Sequence, residues 1–328
     1  MDKIERAVDD IRRKWAPDSR LAVFEISLLP KGVAGVTSSR DARDALRRLA
    51  GESQLVEKVE LIPDGVVAPA AIVTAALAPL MGEPRVSAPR ATEALHGEVL
   101  EVLEQRAEWL RVRAPDGYIA WLNTGYIATG PTDWAEDWTE RATARSLSAD
   151  IVTAEGRRRL PTGARVALRR GVVELADGQP GAVAAGSVRR EQELRVEARH
   201  LALPELAQKW YAGAPYLWGG RTEWGIDCSG LVQAVYSARG IRLPRDSDQQ
   251  FGQGKEIAMS PDGTGYEAGD LLFFAERGRV SHVALWAGAG RIVHAALSRG
   301  GVGGDHLFGD EPRMVRLRET LVGVRRPG

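Results

Sequence analysis

One cysteine, six lysines, no long apolar run and no excess of either charge characterise this 328-residue sequence by what it lacks. A single thiol, Cys228, excludes an intrachain disulfide framework and any multi-cysteine metal site. Lys+Arg and Asp+Glu both number 44, so there is no basic field to attract nucleic acid or an anionic bilayer, and neither is expected as a partner. The scarcity of lysine among the basic residues reflects codon usage more than function. The most apolar stretch, Val66 to Met81, is interrupted by Pro69, Thr74 and Pro79 and is too short to span a bilayer. The first residues, MDKIERAVDDIRRKW, have no apolar core or small-residue cleavage site and read as an amphipathic helix with Ile4, Val8, Ile11 and Trp15 at helical spacing. A soluble, cytoplasmic protein is the expectation. What is present is ordinary for globular protein: 44% hydrophobic and 27% charged residues exclude general disorder, and the length predicts two or three domains.

Residues 1–65 read as helix, strand (RLAVFEISLL), helix (SRDARDALRRLAG) and strand (LVEKVELI), with Ser39 as N-cap and Gly51 as the stop of the second helix. From 66 to 131 the pattern changes to short strands. EVLEVLEQ, EWLRVRAP and YIAWLNTGYI alternate with period two, and Pro115-Asp116-Gly117 marks a turn, which fits a small β-barrel. The run GEVLEVLEQRAEWLRVRAPDGYIAWL, with its Gly-Glu, Trp and Gly-Tyr-x-x-Trp landmarks, resembles a bacterial SH3 (SH3b) domain. PTDWAEDWTERA reads as a linker. Residues 140–199 hold further short strands (ARVALRR, GVVEL, GAVAAG) and predict a second, SH3b-like barrel. The last unit, 200–328, holds Cys228 and four of the five histidines, so the chemistry is expected there.

In APYLWGGRTEWGIDCSGLVQAVYSARG, Leu231, Val232, Val235 and Tyr236 recur at helical spacing and predict a helix from about Cys228 to Gly240. A cysteine at a helix N-terminus faces unpaired N–H groups and the positive end of the dipole, which favours thiolate. Gly219, Gly220, Gly225 and Gly230 permit close backbone approach, and Tyr216, Trp218 and Trp224 supply cleft walls. A lone cysteine is most often a small buried hydrophobe; this setting argues otherwise. RVSHVALWA and RIVHAAL read as two strands joined at Gly288-Ala289-Gly290, with His282 and His294 symmetric about residue 288. An odd-length loop sets the two histidines opposite each other on one face, whereas a two-residue loop does so only with a bulge. Two ordinary hairpin histidines are the bland alternative. Together the residues form a nucleophile, base and orienter for cysteine acyl transfer. Zinc on Cys228, His282 and His294 is a weaker alternative, since three ligands with no nearby carboxylate suit nucleophilic catalysis better, and no metal or cofactor is expected.

Tyr-x-Trp-Gly-Gly, Asp227-Cys228-Ser229-Gly230, Gly-Asp-Leu-Leu-Phe-Phe, Ser-His-Val-Ala-Leu-Trp and Ile-Val-His-Ala occur in family order over about 130 residues and resemble the NlpC/P60 cysteine peptidases. The resemblance implies an α+β protein: a papain-like NlpC/P60 catalytic domain preceded by two small SH3b-like β-barrels and a short mixed α/β N-terminal segment. It implies Cys228 as nucleophile, His282 as base and His294 as orienter. The arrangement further resembles the YkfC-like γ-D-glutamyl-L-diamino acid endopeptidases, whose first SH3b domain restricts the active site to murein peptides with a free N-terminal L-alanine. That likeness implies Glu83 as amine-binding acid and Tyr118 as gating tyrosine, although Leu-Met-Gly-Glu-Pro stands where the group usually has Arg-x-Glu-Pro. Asp227 is a second carboxylate for the amine, and Ser229 and Ser247 match substrate-contacting positions; a purely structural serine in the turn Pro244-Arg245-Asp246-Ser247 is the alternative.

The expected reaction is hydrolysis of the γ-D-glutamyl–diamino acid bond of a murein-derived peptide, in cell-wall peptide recycling. The Cys228 N–H and Tyr216 hydroxyl would hold the oxyanion, and Trp218 would wall the cleft. Three rivals remain: a secreted wall hydrolase whose SH3b barrels bind peptidoglycan, against which the missing signal peptide argues; a murein-peptide binding protein without catalysis, against which the intact Cys-His-His set argues; and acyl transfer to an amine, which uses the same residues. Nothing in the sequence sets an oligomeric state; a monomer is compatible with it.

Overall fold

The computed structural model describes residues 2–328. They fall into two compact units, one made of the residues up to 72 with 81–89 and 99–136, the other of 73–80, 90–98 and 137–328.

The first unit begins with α1 (Asp2–Trp15), β1 (Phe24–Leu29), β2 (Gly32–Thr37), α2 (Arg40–Glu52) and β3 (Val56–Leu61). Val8 of α1 is buried with Val33, Leu46, Ala50 and Val59, so the apolar stripe of the amphipathic helix has a core to cover. Strand β2 was not foreseen. The expected strand 20–29 is instead the first arm of a hairpin, because Gly32 and Gly35 in GVAGVT mask its alternation; β2 then pairs in parallel with β3. Ser39 caps α2 as expected, accepting from the Ala42 N–H at 3.2 Å. Gly51 does not stop it: the helix runs to Glu52, and Gln54 takes the left-handed conformation at φ 55°.

Seven strands follow: β4 (Ala70–Val73), β5 (Leu77–Met81), β6 (Arg90–Leu95), β7 (Val99–Arg106), β8 (Trp109–Arg113), β9 (Ile119–Asn123) and β10 (Ile127–Gly130). Within the first unit β4, β7, β8 and β9 form an antiparallel run, with a bulge between Val102 and Glu104. The β8–β9 turn has Gly117 at φ 88°, a conformation that favours glycine. The expected linker is a helix, α3 (Thr132–Arg141). Its Trp138 is buried and donates Nε1–H to the Gly97 carbonyl at 2.9 Å, which is why a tryptophan stands there.

In the second unit β11 (Ala144–Thr153), β12 (Gly156–Leu160), β13 (Arg165–Arg169), β14 (Val172–Glu174) and β15 (Pro180–Arg190) run in the order β12-β11-β13-β14-β15, and β11 also pairs with β15 to close a small barrel. Ile151, Leu160, Val166, Val173 and Leu175 fill it. The barrel strands end at Arg190; residues 191–199, expected to belong with them, fall in α4 (Glu191–His200), whose Ala198 joins the core of the following domain.

That domain continues with α5 (Leu203–Tyr211), the short strands β16 (Arg221–Thr222) and β17 (Gly225–Ile226), α6 (Cys228–Ala238), α7 (Ser247–Gln250), β18 (Lys255–Ile257), β19 (Leu271–Glu276), β20 (Arg279–Gly288), β21 (Arg291–Ala296), β22 (Gly301–His306), α8 (Pro312–Glu319) and β23 (Leu321–Arg326). Six strands make an antiparallel sheet in the order β18-β23-β19-β20-β21-β22. Helices α5 and α6 pack on one face through Leu206, Ala207, Leu231, Val232 and Val235 against Leu271, Phe273, Val283, Leu285 and Val293. Leu272, Phe274, Ala284, Trp286 and Ile292 form a second apolar layer on the other face. Strands buried on both faces therefore read as near-continuous apolar runs such as LLFF.

Among the described residues no helix is long and apolar enough to cross a membrane.

Candidate active site

Helix α6 starts at Cys228 because Asp227 caps it: its Oδ1 accepts from the Gly230 N–H at 2.7 Å. The helix approaches the preceding loop so closely that a Cβ on Gly230 would lie 2.4 Å from the Gly220 carbonyl oxygen, and one on Gly220 would lie 2.3 Å from that of Gly225. That crowding explains the glycines around the cysteine. The apolar stripe ends at Ala238, and Gly240 takes φ 83° just beyond it.

Cys228 is buried, and its sulfur accepts the backbone N–H of Val283, the residue after His282 on β20. The hairpin β20–β21 turns through two residues, Ala289 at φ 50° and Gly290 at φ 75°. A bulge between Trp286 and Gly288 corrects the register, so His282 and His294 share a face as diagonal rather than opposite neighbours. His282 Nε2 lies 2.8 Å from His294 Nδ1. His294 is 2% exposed, and its Nε2 lies 2.9 Å from Oδ2 of Asp305 on β22.

Charge states depart from the helix-terminus expectation. Burial pushes the Cys228 thiol up to about 12, reinforced by the Asp227 carboxylate and only partly opposed by the Val283 N–H, Arg245 and the Ser229 N–H. Burial and then His294 bring His282 down to about 3. Desolvation outweighs the helix dipole, so the resting pair is neutral thiol and neutral imidazole. The thiolate fraction below its pKa grows with pH, so alkylation of Cys228 by iodoacetamide is expected to rise about tenfold per pH unit from neutral to mildly alkaline conditions. A rate plateau in weak acid would instead reveal a thiolate–imidazolium pair.

Asp227 and Ser229, expected at the substrate, are held within the protein. Arg245, its side chain 0% exposed, grips Asp227 with both ends of its fork, Nη1 to Oδ1 at 3.0 Å and Nη2 to Oδ2 at 2.8 Å. The Gly219 N–H adds a bond to Oδ2 at 2.8 Å, and Arg245 Nη1 also donates to Ser229 Oγ at 2.9 Å. Both carboxylate oxygens thus have their donors, leaving little for a substrate ammonium. Arg245 Nε donates to Thr92 Oγ1 at 2.7 Å. Ser247 is buried at the start of α7 rather than in an open turn, because Asp246 caps that helix.

Tyr216 is half-buried, its backbone N–H bound to the Gly300 carbonyl at 2.9 Å. Burial raises its hydroxyl pKa well above the ordinary tyrosine value, followed by the nearby Cys228 and Asp227, so it remains an O–H donor. Trp218 is 66% exposed. Glu83 and Tyr118 belong to the first unit. Glu83 is exposed and paired with Arg85, Nε to Oε2 at 2.9 Å, which holds its carboxyl below the usual range. Tyr118, expected as a gate, is 7% exposed.

Two residues escaped the sequence reading. Arg245 sits in a loop whose Pro-Arg-Asp-Ser spelling indicates a turn. Asp305 supplies the carboxylate beside the histidines that the zinc argument took to be absent. Among the described residues no group of three or more His, Cys, Asp or Glu is arranged to hold a metal.

Residues 213–318 match the NlpC/P60 family, and residues 80–126 match the family described as bacterial dipeptidyl-peptidase Sh3 domain. The chain carries an NlpC/P60 domain preceded by a bacterial SH3 domain. NlpC/P60 peptidases are cysteine peptidases. The chain is similar to a gamma-D-glutamyl-L-lysine dipeptidyl-peptidase of Bacillus subtilis, 27% identical over 62% of this chain and 71% of the relative. It is also similar to a protein of the same name from Bacillus cereus, 39% identical over 26% of each chain, and to a gamma-DL-glutamyl hydrolase of Bacillus subtilis, 41% identical over 27% of this chain and 21% of the relative. The match thus spans about a quarter or less of those two relatives' length. The solved structure of an NlpC/P60 family protein from Bacillus cereus superposes with TM-score 0.64 over 78% of this chain and 99% of that one, at 21% identity, a likeness of fold.

Proposed function

We propose that the NlpC/P60 domain hydrolyses the γ-D-glutamyl–diamino acid bond of murein peptides that carry a free N-terminal L-alanine, with Cys228 as nucleophile. The observation that carries this reading is the 2.8 Å His282–His294 bond on the strand whose Val283 N–H meets the Cys228 sulfur. The names of the relatives, with the dipeptidyl-peptidase description of the SH3 domain, support the γ-D-glutamyl specificity.

In this mechanism Cys228 Sγ attacks the γ-carbonyl carbon of D-Glu while its proton passes to His282 Nδ1, the ring nitrogen not engaged by His294. The Cys228 backbone N–H and the Tyr216 hydroxyl take the developing oxyanion. His282 then protonates the leaving amine of the diamino acid, giving a thioester. Water, deprotonated by His282, hydrolyses the thioester and restores the thiol. Because thiol and imidazole rest neutral, proton transfer accompanies attack. Asp227, neutralised by Arg245, is not proposed as the partner of the substrate ammonium. Trp218, the exposed aromatic near the site, is a further proposed substrate contact. The role proposed is recycling of cell-wall peptides in the cytoplasm.

The test is mass-spectrometric product analysis with L-Ala-γ-D-Glu-meso-diaminopimelate beside its N-acetylated form. The free-amine peptide is expected to yield L-Ala-D-Glu and diaminopimelate, and the acetylated one to survive. Equal cleavage of both would keep the peptidase and remove the amine requirement. Cleavage of neither would overturn the assigned substrate.

A further inference from the structure

The hydrogen-bonded line that starts at His282 does not end at His294. Its next member, Asp305, has a side chain only 4% exposed, and its two oxygens have separate duties. Oδ2 faces His294 Nε2 at 2.9 Å, while Oδ1 takes Arg299 Nη1 at 2.5 Å and Arg313 Nη2 at 3.0 Å. The arginines arrive from different elements, Arg299 from the turn after β21 and Arg313 from the first turn of α8. Gly303 leaves room for one of them: a Cβ there would lie 2.4 Å from Arg299 Nη2. Burial works against the Asp305 carboxylate, but the His294 bond and the two guanidinium charges outweigh it and hold its pKa below the ordinary value. An ionised carboxylate only accepts hydrogen bonds, so His294 must place its proton on Nε2. Its Nδ1 is then a bare acceptor, and His282 must donate to it from Nε2. That leaves His282 Nδ1 with a free lone pair.

We propose that Asp305, clamped by Arg299 and Arg313, is a positioning residue that sets the tautomers of both histidines and so keeps His282 Nδ1 able to take the Cys228 proton. The catalytic consequence rests on the peptidase reading above; the tautomer assignment does not. The device is directional, because every proton in the line is fixed from the carboxylate end. Asp305→Asn reverses it. Two arginine donors require an acceptor at the Oδ1 position, so the asparagine oxygen turns to them and its NH2 faces His294 Nε2. His294 must then carry its proton on Nδ1 and donate to His282 Nε2. His282 is left protonated on Nδ1, without the lone pair that the proposed mechanism needs for the thiol proton. Wrong-tautomer isosteres of this kind leave geometry intact while lowering turnover.

Nitrogen-15 spectra of the imidazole groups in the full-length protein test this without substrate. The wild type is expected to show both histidines as Nε2–H tautomers, and Asp305→Asn to show both as Nδ1–H. In parallel, kcat on the free-amine peptide is expected to fall by about 10⁴-fold at unchanged KM, the loss seen when an isostere fixes the wrong tautomer of the base. A wild-type His294 protonated on Nδ1 overturns the proposal even if the variant fails to fold. The same tautomers in both proteins overturn it too, as does an unchanged kcat in a variant with reversed tautomers. If the wild type cleaves no murein peptide, the substrate reading fails while the spectra still decide the role of Asp305.

Discussion

Cys228→Ala is expected to abolish peptide hydrolysis, a loss of about 10⁴-fold or more against the wild type, because no other group forms the thioester. The removed sulfur is buried and small, so the fold should survive. The cost is on the order of 1 kcal/mol of packing, a fall of a few degrees in melting temperature. Product analysis and a thermal melt on the same preparation check both halves. Turnover persisting within tenfold of wild type would reject Cys228 as nucleophile. The expectation does not depend on a resting thiolate. With the thiol pushed up to about 12 and the imidazole brought down to about 3, the ion pair is a minor species at neutral pH. Proton transfer then accompanies attack, and the Tyr216 hydroxyl and the Cys228 N–H meet the charge that develops on the carbonyl oxygen.

Arg245→Met is expected to be the most damaging substitution outside the reacting groups. Arg245 is completely buried, and burial works against its charge; Asp227 nevertheless holds its pKa above the ordinary value. Removing one member of a buried pair leaves the other uncompensated, which costs about 3–5 kcal/mol. Asp227 is also the cap that starts α6, so its distress passes directly to Cys228 at the next position. Urea unfolding is expected to move to markedly lower denaturant, and kcat to fall with it. Pairing Arg245→Met with Asp227→Asn should restore part of the stability, because the orphaned charge is gone. A single-variant loss below about 1 kcal/mol would show that the pair is not a structural keystone.

Much of the local structure was legible in the chain. Leu231, Val232, Val235 and Tyr236 define one helical stripe, and helix α6 runs from Cys228 as that stripe requires. The alternation in EWLRVRAP and YIAWLNTGYI gave true strands, and Ser39 was a recognisable cap. Failures have physical causes as definite as the successes. Strand β2 carries two glycines that blank its pattern. The tryptophans of TDWAEDWTER look like linker residues until Trp138 is seen to find the Gly97 carbonyl. The hairpin was open to two readings, since loop length alone does not reveal a bulge. The bulge near Ala287 brings His282 and His294 to one face despite a two-residue turn.

Arg245 and Asp305 mark the boundary between the two kinds of information. Arg245 stands 18 residues from Asp227, in a loop with no periodicity, and only the return of that loop over the start of α6 joins them. Asp305 lies in VGGDH, where glycines leave no alternation to say which residues share a face. The sheet register sets His294 against Gly303, and so brings Asp305 diagonally beside it. By itself the sequence determined the helix that begins at Cys228 and the strands that carry the two histidines, because short-range periodicity and capping are local properties. Tertiary structure alone decided which oxygens remain free, which nitrogens hold protons and whether the thiol rests charged. Desolvation and long-range hydrogen bonding depend on what packs against a group, and no local pattern records that.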